Sequence, residues 1–243
     1  MLLVHGWGDG REWSAHAEAP ADRFRVIVPD LRGHGRSDVP DEGNTPTEMA
    51  DDLAALLRHL GTGPAIAVGH SMGGQVVNLL AVRHPELVRS VIALDPAHGA
   101  HGAEVERIPA RLAEYRERGA RAAAEFIAGA FPAGAPAGLR TAHVRTMPGT
   151  PDDVVAQAYA GMYTDSGAVG VRPHSGGVSA SAHPAALTVW TSAQAATWER
   201  RTLHAPGSRV EHWPDTGHYL QEEHVERTVR LWEEWAPAGQ GTR

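Results

Sequence analysis

The stretch VGHSMGG at residues 68–74 sets the expectation for the whole chain, because it places Ser71 in a Gly-x-Ser-x-Gly pattern. A short apolar run of strand type, 65–68, precedes it, and apolar residues at helical spacing follow at 75–84. A serine in a sharp turn between a strand and a helix is typical of a nucleophile elbow, whose neighbouring positions must be small. We therefore predict that Ser71 is a nucleophile. The alternative is an incidental serine in a glycine-rich turn.

The helix that follows the elbow supports this prediction. A helix N-terminus carries unpaired backbone amides and the positive end of the helix dipole. The amide of Met72 is therefore placed to stabilise an oxyanion that develops beside Ser71. We expect the Met72 backbone, rather than its side chain, to carry this role.

The composition limits both the chemistry and the partners. The chain has 243 residues and a formal net charge of −7, which disfavours nucleic acid and anionic membranes as partners. All 22 basic residues are arginine and cysteine is absent, which excludes Schiff-base lysines, disulfides and thiolate nucleophiles within this chain. We find neither a signal-peptide pattern nor an apolar run of membrane-spanning length. We therefore expect a cytoplasmic protein, as a monomer or a homodimer.

Strands and helices alternate along the first hundred residues. Strands are predicted at 2–5, 25–30, 65–68 and 90–95, and helices at 14–21, 45–60 and 75–84. Such alternation implies a parallel sheet that is covered by helices on both faces.

The alternation stops at Pro96 and resumes only after Pro184. Between them we predict helices at 104–128 and 152–163, and after them strands at 187–190 and 209–213 and helices at 193–203 and 220–235. An insertion of this size is best interpreted as a helical cap over the strand ends, where open α/β sheets bind ligands. We therefore assign residues 1–96 and 185–243 to an α/β core and 97–184 to a cap. The Gly/Ser-rich residues 167–181 are expected to be mobile and the tail 236–243 frayed.

Four motifs follow in an order that resembles the α/β-hydrolase superfamily. They are HGWG at 5–8, DLRGHGRS at 30–37, GHSMG at 69–73 and Gly-His at 217–218. The resemblance implies an α/β-hydrolase fold, with a mostly parallel sheet, helices on both faces and a helical cap insertion. The family usually opens with two further strands that are missing here, which suggests a shortened chain or a start codon placed late. The strand at 25–30 would then lie at the edge of the sheet.

His218 is the best candidate for the base that a serine nucleophile needs. It lies in a turn between a predicted strand and the last helix, and a nucleophile followed by a late histidine is the family's order. His70 is expected to pack beside the elbow rather than act as a base. Surface or packing roles fit His16, His59, His84, His204 and His224.

The acid that orients His218 has three candidates. The family usually carries it after the strand that follows the cap, but no carboxylate occurs there before Glu199, which is predicted to lie on a helix. Asp95 ends the strand beside the elbow strand and can do the same job, as in family members that resemble dehalogenases and certain lactone hydrolases. We predict Asp95, against the alternative that it only forms a turn before Pro96. Asp215 is too close to His218 in sequence to reach round it.

The resemblance implies an oxyanion hole formed by the backbone amides of Trp7 and Met72. The Trp7 side chain would line the acyl pocket or pack in the core. Asp30 and Arg32 are expected to make structural contacts in their loop.

Neither a metal nor a cofactor is predicted. His98 and His101 have no third ligand at zinc spacing, and no glycine-rich nucleotide motif is present. The stripe formed by Ile108, Leu112 and Tyr115 is typical of ordinary helix packing.

The leading hypothesis is a serine hydrolase that cleaves a carboxylic ester or lactone through an acyl-enzyme. Serine at the elbow argues against dehalogenase and epoxide-hydrolase chemistry, for which the family uses aspartate. A mixed apolar cap with few clustered arginines favours a small neutral apolar or aromatic substrate. C–C bond hydrolysis, cofactor-free perhydrolase activity and a non-catalytic hydrolase-like binding protein remain as alternatives.

Overall fold

A sheet of five parallel strands forms the centre of the computed structural model, which describes residues 1–172, 174–175 and 184–235. The strands are β1 (Leu2–Val4), β2 (Ala65–His70), β3 (Val88–Leu94), β4 (Ala186–Trp190) and β5 (Arg209–His212). Their order in the sheet is the order in the chain, and every neighbouring pair is parallel. The predicted fold class is confirmed.

Eight α-helices lie wholly within the described residues. They are α1 (Pro46–His59), α2 (Met72–Arg83), α3 (Ala103–Gly129), α4 (Ala137–Thr146), α5 (Asp152–Tyr163), α6 (Ala193–Thr202), α7 (Leu220–Glu223) and α8 (Val225–Trp235). Short 3-10 helices lie at Gly10–Trp13, Pro85–Leu87 and Met147–Gly149. Among the described residues, we find no helix that is both long enough and apolar enough to span a membrane.

The core has two halves because alternate residues of each strand face opposite sides of the sheet. Leu2 and Ala67 belong to the half that packs against α1, α2, α3 and α5. Leu3 and Val68 belong to the other half, which packs against α7 and α8 and includes Trp232. Both faces of the sheet are therefore covered, as the continuous burial of β1 and β2 requires.

The prediction of a helix at 14–21 is wrong. The backbone there forms successive turns, in which the His16 amide donates to the Trp13 carbonyl at 2.9 Å and the Phe24 amide donates to the Pro20 carbonyl at 2.9 Å. Pro20 explains the difference, since a proline has no amide proton and its ring clashes with the carbonyl four residues earlier.

The strand predicted at 25–30 is reduced to one bridge at Ile27. Its amide donates to the Met1 carbonyl and its carbonyl accepts from the Leu3 amide, both at 2.9 Å. The bridge lies on the outer side of β1, so the predicted edge position is confirmed. Pro29 cannot donate to a ladder, which limits the pairing.

Three of the helices, α3, α4 and α5, lie between β3 and β4. The prediction for 152–163 is confirmed to the residue, whereas α4 was not predicted because Gly138 and β-branched residues interrupt its pattern. The helix predicted at 220–235 is broken at His224, where φ is −136°. The predicted mobility of 167–181 falls partly on positions outside the described residues, and the predicted frayed tail 236–243 falls wholly outside them.

Candidate active site

Ser71 forms a strained turn between β2 and α2. Its φ of 52° and ψ of −119° lie in a region that costs a non-glycine residue about 1–3 kcal/mol. The surrounding backbone holds this conformation, because the Ser71 amide donates to the Leu94 carbonyl at 3.0 Å and the Ser71 carbonyl accepts from the Ala97 amide at 2.9 Å. The turn projects the hydroxyl from the end of the strand.

The two glycines of the elbow are required by close backbone approach. A Cβ on Gly69 would lie 2.1 Å from the Gly73 carbonyl oxygen, and a Cβ on Gly73 would lie 2.3 Å from the Val4 carbonyl oxygen. Real Cβ atoms do not approach so closely, so both positions accept only glycine. The small neighbours predicted from the motif thus have a direct steric cause.

His218 lies between the other two predicted catalytic residues. Its Nε2 is 2.9 Å from the Ser71 Oγ, and its Nδ1 is 2.6 Å from the Asp95 Oδ2. We call Ser71, His218 and Asp95 the candidate triad. The three side chains come from the end of β2, the end of β3 and the turn after β5. These segments are far apart in the sequence, and only folding brings the side chains into contact.

The backbone around His218 is fixed from several directions. The His218 amide donates to the Ala130 carbonyl at 3.1 Å, which ties the turn to the end of α3. The preceding amide, of Gly217, donates to the Glu223 Oε2 at 2.9 Å. These hydrogen bonds hold the backbone of His218 in place and so help to fix the position of its imidazole.

Asp95 is held in place by Thr191 as well as by His218. Its Oδ1 accepts hydrogen bonds from the Thr191 amide at 3.1 Å and from the Thr191 hydroxyl at 2.9 Å. Burial acts to raise the pKa of Asp95, but the hydrogen bond and charge of His218, together with Thr191, outweigh it and leave the pKa below its ordinary value. The carboxylate is thus ionised and oriented toward the imidazole.

The alternative acids lie elsewhere. Glu199 is buried on α6, where the Trp190 indole donates to its Oε2 and the Thr188 hydroxyl donates to its Oε1 at 3.3 Å. Asp215 lies in the turn before His218 with a φ of 61°. The carboxylate that contacts His218 is that of Asp95.

Trp7 and Met72 line the same cavity as Ser71. In the part of the chain that the structure describes, neither backbone amide donates to a protein acceptor. The Trp7 ring both lines the cavity and packs, since its centroid lies 5.1 Å from that of Tyr115 and 6.0 Å from that of Phe126. The role of these two amides as donors to an oxyanion stays a prediction.

A buried ion pair lies directly behind the candidate triad. The Glu12 Oε1 is 2.8 Å from the His70 Nδ1, and the His70 Nε2 donates to the His218 carbonyl at 2.8 Å. Burial opposes both charges, but the charge and hydrogen bond of the partner, together with neighbouring groups, outweigh it, so the pKa of Glu12 lies below and that of His70 above the ordinary value. His70 packs beside the elbow as predicted and also anchors the histidine turn.

Sequence reasoning missed Glu12, Thr191 and Glu223. Each acts through a hydrogen bond to a residue that is distant in the sequence or part of an irregular turn. No motif marks such partners; the only available signal was a carboxylate at position 12, close to the HGWG loop.

The remaining polar candidates have structural contacts. Asp30 accepts from the Gly10 amide at 2.8 Å, and Arg32 pairs with Asp52, as predicted for loop residues. The His98 ring lies 5.3 Å from that of Trp190. Within the described ranges, no group of three or more His, Cys, Asp or Glu side chains could hold a metal ion.

The Ser71 hydroxyl opens into a cavity of about 510 Å³. One wall is formed by the ends of the strands and the elbow, and the other by α3 and α5. The second wall is aromatic, with Tyr115, Phe126, Tyr159 and Tyr163. Burial raises the pKa of Tyr159 to about 12, so its hydroxyl stays protonated at neutral pH.

Comparison with known proteins identifies the family of the fold. The sequence model described as the alpha/beta hydrolase fold matches residues 1–167. The chain belongs to the α/β-hydrolase family. A 2-(acetamidomethylene)succinate hydrolase from Mesorhizobium japonicum is 49% identical to this α/β-hydrolase over 75 residues, which are 31% of this chain and 27% of that protein. A soluble epoxide hydrolase from Corynebacterium is 38% identical over 100 residues, which are 41% of this chain and 35% of that protein.

Solved structures extend the likeness of this α/β-hydrolase to nearly the whole chain. A thermophilic esterase from Thermogutta terrifontis, with malate bound, has a TM-score of 0.79 and 30% identity, and the alignment covers 96% of this chain and 88% of that one. An E-2-(acetamidomethylene)succinate hydrolase has a TM-score of 0.73 and 27% identity, with 96% and 90% covered. Eight curated relatives, by contrast, are matched over only 26% to 41% of their own length.

Proposed function

We propose that this α/β-hydrolase is a serine hydrolase that cleaves a carboxylic ester or lactone through an acyl-enzyme. One observation carries the proposal: the Ser71 Oγ, the His218 imidazole and the Asp95 carboxylate form a continuous chain of contacts of 2.9 and 2.6 Å. The similarity to an esterase over 96% of this chain supports it. The elbow carries a serine, whose hydroxyl oxygen attacks acyl carbon.

The reaction takes place in two halves. In the first, the Ser71 Oγ attacks the ester carbonyl carbon while His218 Nε2 takes the hydroxyl proton, and the protonated imidazole then gives that proton to the leaving alkoxide. In the second, water attacks the acyl carbon and gives a proton to His218 Nε2. The imidazole then passes that proton to the Ser71 Oγ as the acid product leaves. Asp95 keeps the Nδ1 proton on the imidazole and stabilises its positive charge throughout.

Each tetrahedral intermediate carries a negative oxygen. We assign its stabilisation to the amides of Trp7 and Met72, which have no protein acceptor in the described residues. The dipole of α2 adds positive potential at the same place. One such donor contributes about 3 kcal/mol of transition-state stabilisation.

We further propose that residues 97–184 form a cap over a core made of 1–96 and 185–243. The aromatic wall of the cavity comes from α3 and α5, whereas the candidate triad comes from the remainder of the chain. A cap of this kind excludes water and selects the substrate.

Labelling with a fluorophosphonate tests the proposal, because this reagent reacts with an activated serine. We expect one covalent adduct on the wild-type protein and none on Ser71→Ala. Ser14→Ala is the matched control, since Ser14 is exposed and lies outside the cavity, and it should label like wild type. Absence of an adduct on the folded wild-type protein would instead favour a non-catalytic binding protein.

A further inference from the structure

Three arginines line the cavity that holds Ser71. Arg107 and Arg111 come from α3, and Arg172 follows the cap helices. The sequence pattern favoured a neutral pocket because these residues do not form a cluster along the chain. The fold brings them to one cavity, which changes the expected charge of its occupant.

Arg111 has no carboxylate partner among the described residues. Its Nη1 donates to the Tyr115 hydroxyl at 3.3 Å, a long contact to a neutral group. The guanidinium carbon lies 5.3 Å from the Phe126 ring centroid, so an aromatic side chain supports it. The guanidinium therefore has fixed surroundings and N–H donors available for a ligand.

The Arg172 guanidinium is also held by a hydrogen bond and by an aromatic ring. Its Nε donates to the Gly99 carbonyl at 3.0 Å, and its guanidinium carbon lies 5.1 Å from the Trp198 ring centroid. Its Nη2 is buried and finds no hydrogen-bond partner in the part of the chain that the structure describes. An unsatisfied buried donor on a charged group is costly unless a ligand accepts from it.

The acidic groups of the cavity neutralise these arginines only in part, and the charge of Glu104 acts on Arg172. Asp95 is bound by His218 and Thr191, and Glu104 contacts the His101 ring at 3.2 Å. With three arginines and two carboxylates among the lining residues, one positive charge remains in excess. The excess matches a ligand that carries a single negative charge.

We propose that Arg111 and Arg172 bind a carboxylate of the substrate, so that the preferred substrate is an ester or lactone that also bears a free carboxylate. This inference rests on the proposed hydrolase function and specifies its substrate class. The planar guanidinium fits the two oxygens of a carboxylate, and an aromatic wall accommodates the carbon chain between the carboxylate and the reacting carbonyl. The carboxylate would orient the carbonyl toward Ser71.

A pair of esters of similar length tests this inference. Monomethyl adipate carries one carboxylate, and methyl hexanoate carries a methyl group in its place; hydrolysis of both is followed by NMR. We expect wild-type kcat/KM to be at least about 10-fold higher for monomethyl adipate, since one charge-assisted hydrogen bond is worth about 10- to 100-fold. Arg111→Gln and Arg172→Gln should each reduce this preference by about 10-fold or more. Arg121→Gln is the control in the part of α3 beyond the kink at Gly119, and it should keep the wild-type preference because Arg121 is 82% exposed and outside the cavity.

Calorimetric binding of monomethyl adipate to Ser71→Ala separates this inference from the proposed function. Binding that weakens about 10-fold or more in Ser71→Ala/Arg111→Gln supports the carboxylate site even if the wild-type protein hydrolyses neither ester. Equal hydrolysis of both esters, unchanged by Arg111→Gln and Arg172→Gln, would overturn the carboxylate site and leave the hydrolase function standing. Absence of both binding and an ester preference also overturns it.

Discussion

Replacing Glu12 with glutamine should destabilise the protein, because it removes the charge of a buried ion pair behind the candidate triad. The Glu12 carboxylate accepts from the Gly6 amide at 3.0 Å and from the Gln221 side-chain amide at 2.9 Å, and its Oε1 lies 2.8 Å from the His70 Nδ1. All three partners present N–H donors. A glutamine has only one acceptor oxygen, so its own N–H groups would face at least one of these donors.

The magnitude follows from the burial of the pair. The side chains of His70 and Glu12 are each 1% exposed, so water cannot replace the lost partner. Breaking a buried pair by removing one charge costs about 3–5 kcal/mol of the free energy of unfolding. For a chain of this size, that loss corresponds to a fall in Tm of about 6–20 °C.

The pH dependence gives a second measurement. The pKa of Glu12 is lowered in the folded protein, so its contribution is complete above about pH 4.5 and is lost as the pH falls through the lowered pKa. The pKa of His70 is raised, so its contribution is complete below about pH 6.5 and is lost as the pH rises through the raised pKa. The Tm difference between wild type and Glu12→Gln should therefore be largest between about pH 4.5 and 6.5.

Thermal unfolding followed by circular dichroism measures both quantities. Glu125→Gln is the matched control, since Glu125 pairs with Arg118 on the surface and its replacement should leave Tm unchanged. A Glu12→Gln protein that melts within about 2 °C of wild type across this pH range would refute the reasoning.

Two other substitutions test the site and the elbow. Asp95→Asn should lower kcat by about 10,000-fold, because an amide favours the wrong imidazole tautomer, whereas Glu199→Gln should retain kcat per folded molecule; p-nitrophenyl ester kinetics compare them. Near-normal turnover by folded Asp95→Asn would assign the acid role elsewhere. Gly73→Ala should prevent folding, since the added Cβ would lie 2.3 Å from the Val4 carbonyl oxygen. Gly63→Ala, where a Cβ meets nothing within 4 Å, is its control, and equal yields and circular dichroism spectra for both would contradict the steric argument.

Local sequence patterns were sufficient to predict the helices that have a continuous apolar face and clear terminal signals. The helices at α1 and α5 carry continuous apolar stripes between clear terminal signals, so their bounds agree with prediction to within a residue. The segments at 14–21 and 25–30 contain prolines. Local turns replace a helix in the first, and hydrogen bonds to Met1 and Leu3 leave a single bridge in the second. Element type is therefore predictable where burial and propensity agree, and unpredictable where they do not.

By itself the sequence determined the parallel sheet, the elbow at Ser71 and the identity of His218 and Asp95 as candidates, because periodicity and motif order are written along the chain. Only the tertiary structure decided that Asp95 rather than Glu199 contacts His218. It also decided that an ion pair lies behind the imidazole and that arginines face the cavity. These contacts join residues from separate elements, and the distances between such residues are set by how the elements pack rather than by their spacing in the chain.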